Sequence, residues 1–89
     1  MRFEWDRRKA KANLRKHGVS FEEAKTVFDD DQAYIFADVD HSDGERRFVI
    51  IGQSAAQREL FVCHCYRIGD VVRLISARKA NRSESLLYF

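Results

Sequence analysis

The stretch Leu60-Phe61-Val62-Cys63-His64-Cys65-Tyr66-Arg67, then Ile68-Gly69-Asp70, then Val71-Val72-Arg73-Leu74-Ile75-Ser76-Ala77-Arg78 decides how the chain folds. Both runs are rich in β-branched and aromatic residues, and the Gly-Asp between them is turn chemistry, so together they predict a hairpin. As a two-residue loop, Gly69-Asp70 sets Ile68 opposite Val71, and with it Tyr66 opposite Arg73, Cys65 opposite Leu74 and His64 opposite Ile75. Alternation then gathers Phe61, Cys63, Cys65, Val72 and Leu74 on a face that reads as core, and His64, Tyr66 and Arg73 on the other. A slip of one residue would exchange the faces of the second strand.

Outward from the hairpin, Ala33 to Asp38 and Arg46 to Gln53 have the same extended character, with a break at His41-Ser42-Asp43-Gly44. Short connections favour an antiparallel sheet of about four strands. Upstream the period is helical. A first helix starts at Arg7, turns Ala10, Leu14 and Ala12 inward, and stops at Gly18 after His17. Ser20-Phe21-Glu22-Glu23 has capping-box spacing, with Glu23 expected to reach back. It opens a second helix whose inner side is Phe21, Ala24, Val27 and Phe28, and the run Asp29-Asp30-Asp31 ends it. Phe3 and Trp5 suggest a short strand or anchoring arm, and Lys79 to Tyr88 a short C-terminal helix. The fold class is therefore α+β, in a single domain over residues 1–89.

Composition narrows the function. A chain of 89 residues with 45% hydrophobic content builds one core and has little room for a deep cleft, which favours a polymeric substrate on a shallow surface. No run is apolar enough to span a bilayer, and Met1 to Asp6 lacks the core of a secretion signal, so the expected location is cytoplasmic with no membrane partner. Cys63 and Cys65 share a face but are poorly placed to bridge each other, and His64 points the other way, so neither a disulfide nor a metal site is expected; no cofactor is implied. Net charge is only +2, but it is unevenly spread: residues 1–19 net +5, residues 20–57 net −6 and residues 58–89 net +3. Two basic arms that converge would suit phosphates, whereas ordinary solvated faces are the plain alternative.

Several strings resemble the BrnT family of toxins. They are Phe3-Glu4-Trp5-Asp6, Lys9-Ala10, Asn13, Lys16-His17-Gly18-Val19-Ser20-Phe21-Glu22-Glu23-Ala24, His41-Ser42, Glu45-Arg46-Arg47-Phe48, Ile51-Gly52 and Ile75-Ser76-Ala77-Arg78-Lys79-Ala80. The similarity runs through nearly the whole chain in one order. It implies a RelE-like fold and a ribonuclease toxin of a type II toxin–antitoxin pair. The implied partners are RNA, including ribosome-associated mRNA, and a DNA-binding antitoxin of the BrnA type through which alone operator DNA is met. The chain departs from the family in having Asp29-Asp30-Asp31 where an Asp-Pro is common, and in a C-terminal helix, Arg82-Ser83-Glu84-Ser85-Leu86-Leu87, with fewer cations.

RNA cleavage without a metal uses the ribose 2′-hydroxyl as nucleophile, and needs a base, cations for the phosphate and an acid for the leaving 5′ oxygen. His64 titrates in the right range and is the first candidate for proton transfer, against the reading of a packed strand histidine. Arg67, Arg73 and Arg78 are candidates for the phosphate because a guanidinium binds it through two parallel hydrogen bonds. Arg67 and Arg78 fall at opposite ends of the hairpin and cannot hold one phosphate together. Tyr88 is a candidate stacking platform or proton donor, resembling the C-terminal tyrosine of RelE-type enzymes, and Lys79 and Arg82 are candidate RNA contacts. His17 reads as a helix-end cation, and His41 carries little. The competing function is a non-catalytic module that binds a DNA-binding partner and tunes repression of their operon.

Overall fold

The computed structural model describes residues 1–41 and 44–88. Its elements are β1 (Arg2–Glu4), α1 (Arg7–His17), α2 (Phe21–Thr26), β2 (Tyr34–Ala37), β3 (Phe48–Gln53), β4 (Glu59–Arg67), β5 (Val71–Lys79) and α3 (Arg82–Tyr88), with single 3-10 turns at Val27–Asp29 and Val39–His41. Of the expected break at 41–44, Ser42 and Asp43 lie outside the described residues.

The helix ends follow their local chemistry. The Asp6 carboxylate accepts from the amides of Arg8 and Lys9 and starts α1, and Gly18 ends it at φ 70°, a conformation that costs glycine little. Ser20 Oγ accepts from the Glu23 amide at 3.0 Å, as its spacing predicts. Glu23 does not reach back, however. Its carboxylate pairs with Arg58 and accepts from Ser54 Oγ at 2.7 Å, tying α2 to the turn before β4. An ion pair on a distant element outbids the weaker capping contact, and Arg58 holds the Glu23 carboxyl below the usual carboxylate range.

The sheet has five strands in the order β1-β5-β4-β3-β2, antiparallel except for β1, which runs parallel to β5 through Phe3↔Val72 and Glu4↔Arg73. The expected antiparallel sheet of about four strands is thus a mixed sheet of five, and the N-terminal segment is a strand. A parallel pair needs a long crossover, and α1 with α2 supplies part of it on one face of the sheet. There Val19, Phe21, Ala24 and Val27 meet Ile50, Leu60, Val62, Val72, Leu74 and Ala77 in the main core.

The central hairpin corrects the predicted register. Arg67 pairs with Val71, Cys65 with Arg73 and His64 with Leu74, so the loop has three residues, Ile68 to Asp70, with Gly69 at φ 87° and Asp70 at φ 60°. Aspartate tolerates that left-handed region better than most residues, which is why the longer turn forms. A bulge between Cys63 and His64 then takes the extra residue back, and Cys63 faces Ser76 and Phe61 faces Arg78. The consequence is an exchange of faces. Phe61, Cys63 and Cys65 do share a side, but it faces away from α1 and α2, and Arg73 joins it; His64, Val72 and Leu74 face the helices.

The inner side of α1 differs too. Leu14 is 51% exposed and Ala12 is exposed, while Asn13 is turned inward. Its amide donates to Val19 O at 2.9 Å and Ala77 O at 2.8 Å, and its oxygen accepts from Ala77 N at 3.0 Å. β1 stops opposite Arg73, so further along β5 the outer backbone groups lack a strand partner. One side-chain amide satisfies both groups of Ala77, and polarity wins over apolar burial there because an unpaired buried peptide group is costly.

Candidate active site

The side of the sheet opposite α1 and α2 carries a shallow hollow of about 330 Å³ lined by Phe36, Asp38, Arg47, Phe61, Cys63, Ser76 and Arg78 among others. Alternation builds it: Phe36 on β2, Phe61 and Cys63 on β4 and Arg78 on β5 all point to this side. Tyr34 and Phe36 lie 5.6 Å apart between ring centroids, and Phe36 and Phe61 6.5 Å, forming an aromatic row. The Arg78 guanidinium sits 4.1 Å above the Phe61 ring. Its two terminal nitrogens donate to Glu84 on α3 at 2.7 and 2.8 Å, a fork-to-fork pair that pushes the guanidinium pKa up and the Glu84 carboxyl down. Glu84 also accepts from the Asn81 amide while Asn81 Oδ1 accepts from the Glu84 amide, so the start of α3 and Arg78 are held by one carboxylate. An anion-binding fork beside a row of aromatic rings can take a phosphate and its bases.

The five candidate catalytic residues do not converge. His64 has no exposed surface; its ring lies edge-on to Phe28 at 4.9 Å and near Phe48, its Nδ1 is 3.3 Å from Val62 O, and its Nε2 is 3.1 Å from the Tyr66 hydroxyl. Burial lowers its pKa to about 4, so it is neutral at pH 7. With Nδ1 beside a carbonyl, the proton belongs on Nδ1 and Nε2 accepts from Tyr66. The surface acid or base expected at this position is instead a core histidine, because the register places it under the helices. Arg67 lies at the far end of the hairpin, 3.5 Å from Glu45, and Arg73 pairs with Glu4 at 2.8 Å. Tyr88 donates to Asp30 at 2.5 Å, which pushes its pKa up to about 12. Asp30 also accepts from the amides of Gln32 and Gln53, so part of the acidic run is a structural anchor rather than a solvated end.

Arg78, Lys79 and Arg82 remain neighbours where β5 passes into α3. The aromatic row and Arg47 are not singled out by the sequence. A signal is present in the alternation of Tyr34 with Phe36, but it is recognisable as a surface only once Phe61 is known to face outward.

The sequence model of the family described as "Ribonuclease toxin, BrnT, of type II toxin-antitoxin system" matches residues 5–84. The chain belongs to the BrnT family. Membership makes it a type II toxin of the ribonuclease class and gives it a cognate antitoxin as partner. Its fold is similar to that of the Brucella abortus ribonuclease toxin BrnT, solved at 1.1 Å resolution, with a TM-score of 0.70 at 23% identity over 92% of this chain and 99% of that one. A comparison with curated proteins gives no match. Among the described residues no helix is long and apolar enough to cross a membrane.

Proposed function

We propose that this BrnT-family chain is a cytoplasmic endoribonuclease that cleaves RNA, ribosome-associated mRNA included, by attack of the ribose 2′-hydroxyl without a metal. The observation that carries this reading is the Arg78 fork, which lies over Phe61 on the open face and already holds a flat anion, the Glu84 carboxylate. Phosphate offers the same pair of acceptors in the same geometry, and displaces Glu84 when RNA arrives. Phe61 and Phe36 stack the flanking bases, Lys79 and Arg82 hold neighbouring phosphates, and Asp38 in the hollow accepts the 2′ proton. Arg78 then offsets the charge that grows on the phosphorane oxygens, and the P–O5′ bond breaks with the leaving 5′ oxygen taking a proton from water, which leaves the 2′,3′-cyclic phosphate. His64 and Tyr88 serve the architecture rather than the proton transfers. An antitoxin of the BrnA type masks this face and brings the complex to operator DNA.

The test is end-group analysis of RNA cut by the purified protein in EDTA. The reading expects a 2′,3′-cyclic phosphate product and resistance of a substrate carrying a single 2′-deoxy substitution at the scissile position. Cleavage abolished by EDTA, or unaffected by the missing hydroxyl, contradicts it. Intact RNA under every condition, with tight antitoxin binding, favours the non-catalytic module.

A further inference from the structure

The first turn of helix α1 lacks the acidic residues that α2 and α3 carry there. The eleven residues of α1 hold six of the chain's sixteen Lys and Arg and none of its fourteen acids, so the rest of the molecule is a net acid. Arg7, Arg8 and Lys9 occupy the first turn, where the helix dipole disfavours cations, whereas α2 begins with Glu22 and Glu23 and α3 has Glu84 in its first turn. Arg7 with Lys11, and Lys11 with Arg15, are like charges four residues apart, which repel. Elsewhere Arg58, Arg67, Arg73 and Arg78 are all ion-paired. Among the described residues none of the six α1 cations forms a salt bridge, Lys9 having only the cap carboxylate of Asp6 near it, and all are exposed. Such uncompensated repulsion marks a surface whose missing counter-charge comes from outside.

Position identifies the polyanion. Asn13 fastens α1 to both backbone groups of Ala77, the residue next to Arg78. β1 ends opposite Arg73, so Asn13 of α1 sits on a part of the β5 edge that β1 does not cover. A strand of RNA held at Arg78 can therefore pass over this edge and run along α1. From Arg7 to Lys16 the helix extends about 14 Å at 1.5 Å per residue, room for several phosphates.

We infer that the outer face of α1 is a phosphate track for single-stranded RNA, binding nucleotides that flank the one held at Arg78. The inference rests on the proposed placement of the scissile phosphate, and adds a second RNA-contacting surface on the other side of the β5 edge. Its affinity is electrostatic and independent of base sequence, because unpaired lysines and arginines on a solvent-facing helix release counterions from phosphates without reading bases.

The test measures binding of a short single-stranded 2′-O-methyl RNA across a salt series. Variant Lys9→Gln, Lys11→Gln, Arg15→Gln, Lys16→Gln should bind at least tenfold more weakly near physiological salt. Its slope of log affinity against log salt should shrink by about 0.7 for each phosphate that the variant no longer neutralises. The charge-conserving set Lys9→Arg, Lys11→Arg, Arg15→Lys, Lys16→Arg should keep both affinity and slope, which separates an effect of charge from an effect of misfolding. Unchanged affinity and slope in the glutamine set overturn the track. So does antitoxin binding that fails while RNA binding holds, since the face would then belong to the protein partner. Arg78→Ala, assayed for cleavage alongside, separates the two readings: full cleavage by it removes the proposed site but not the track, and a weakened glutamine set leaves the track standing.

Discussion

The two sides of one sheet solve opposite problems. On the side under α1 and α2, the polar side chains that enter the core are uncharged and bonded: His64 is neutral and touches Val62 and Tyr66, and Asn13 completes the backbone of Ala77. On the other side Arg78 keeps its charge, leans on an aromatic ring and is held by the Glu84 carboxylate. The difference shows that which side chains of the sheet can meet a substrate depends on the face the helices leave uncovered, not on which residue type is most reactive in isolation. Histidine is the more versatile catalyst, yet the sheet buries it; arginine is the plainer one, and the sheet displays it.

That division breaks if substitutions on the open side alter stability or those on the covered side alter chemistry. The largest expected effect is Arg78→Ala, which should slow RNA cleavage by on the order of 10²–10³-fold, with lysine a poor substitute because it cannot form the fork. Single-turnover rates on RNA check it, and a thermal midpoint near that of the parent shows the fold intact. Next comes Asn13→Ala. It leaves the amide and carbonyl of Ala77 and the carbonyl of Val19 without their partner, at a cost of about 2–4 kcal/mol in urea unfolding, with cleavage per folded molecule unchanged.

The third prediction sharpens the contrast through pH. His64 has an ordinary unfolded pKa of 6.5 and a folded value of about 4. The unfolded chain therefore binds the proton more readily, and the stabilisation is complete above pH 6.5 and drains away as pH falls toward 4. The loss should reach about 3 kcal/mol across that window, and His64→Gln should remove this part of the acid sensitivity. Urea midpoints measured at intervals between pH 7 and pH 4 test it; parallel curves for the two proteins would show that His64 is not the group responsible.

Much of the architecture is legible in local signals. Gly18, Ser20 and the alternating runs act over a few residues, and the helices and strands they predict are present. The Glu23 contact is not legible, because its winning partner, Arg58, is distant in sequence. The N-terminal strand joins the sheet because the edge of β5 is free, a fact that depends on the whole topology. The face of the hairpin turns on a single residue. Gly69-Asp70 reads as a two-residue loop, and nothing in the sequence shows that Ile68 belongs to the turn or that a bulge beside His64 restores the count. From that residue follows most of the difference at the site: His64 passes into the core and Phe61 comes out of it, bringing its partner Arg78 to the open face, although the Phe61–Arg78 pairing itself is the one a two-residue loop also gives. In the sequence the family string is what sets Arg78 apart from Arg67 and Arg73, and its neighbours are visible only in three dimensions.

The most direct test is to follow the side chains of Phe36, Phe61, Phe28 and His64 by NMR while an uncleavable 2′-O-methyl RNA is added. The account predicts that Phe36 and Phe61 shift on binding, that the Arg78 guanidinium signals move as Glu84 is displaced, and that Phe28 and His64 hold still. Shifts confined to Phe28 and His64, with Phe36, Phe61 and Arg78 unmoved, would place the RNA on the wrong side of the sheet and contradict it.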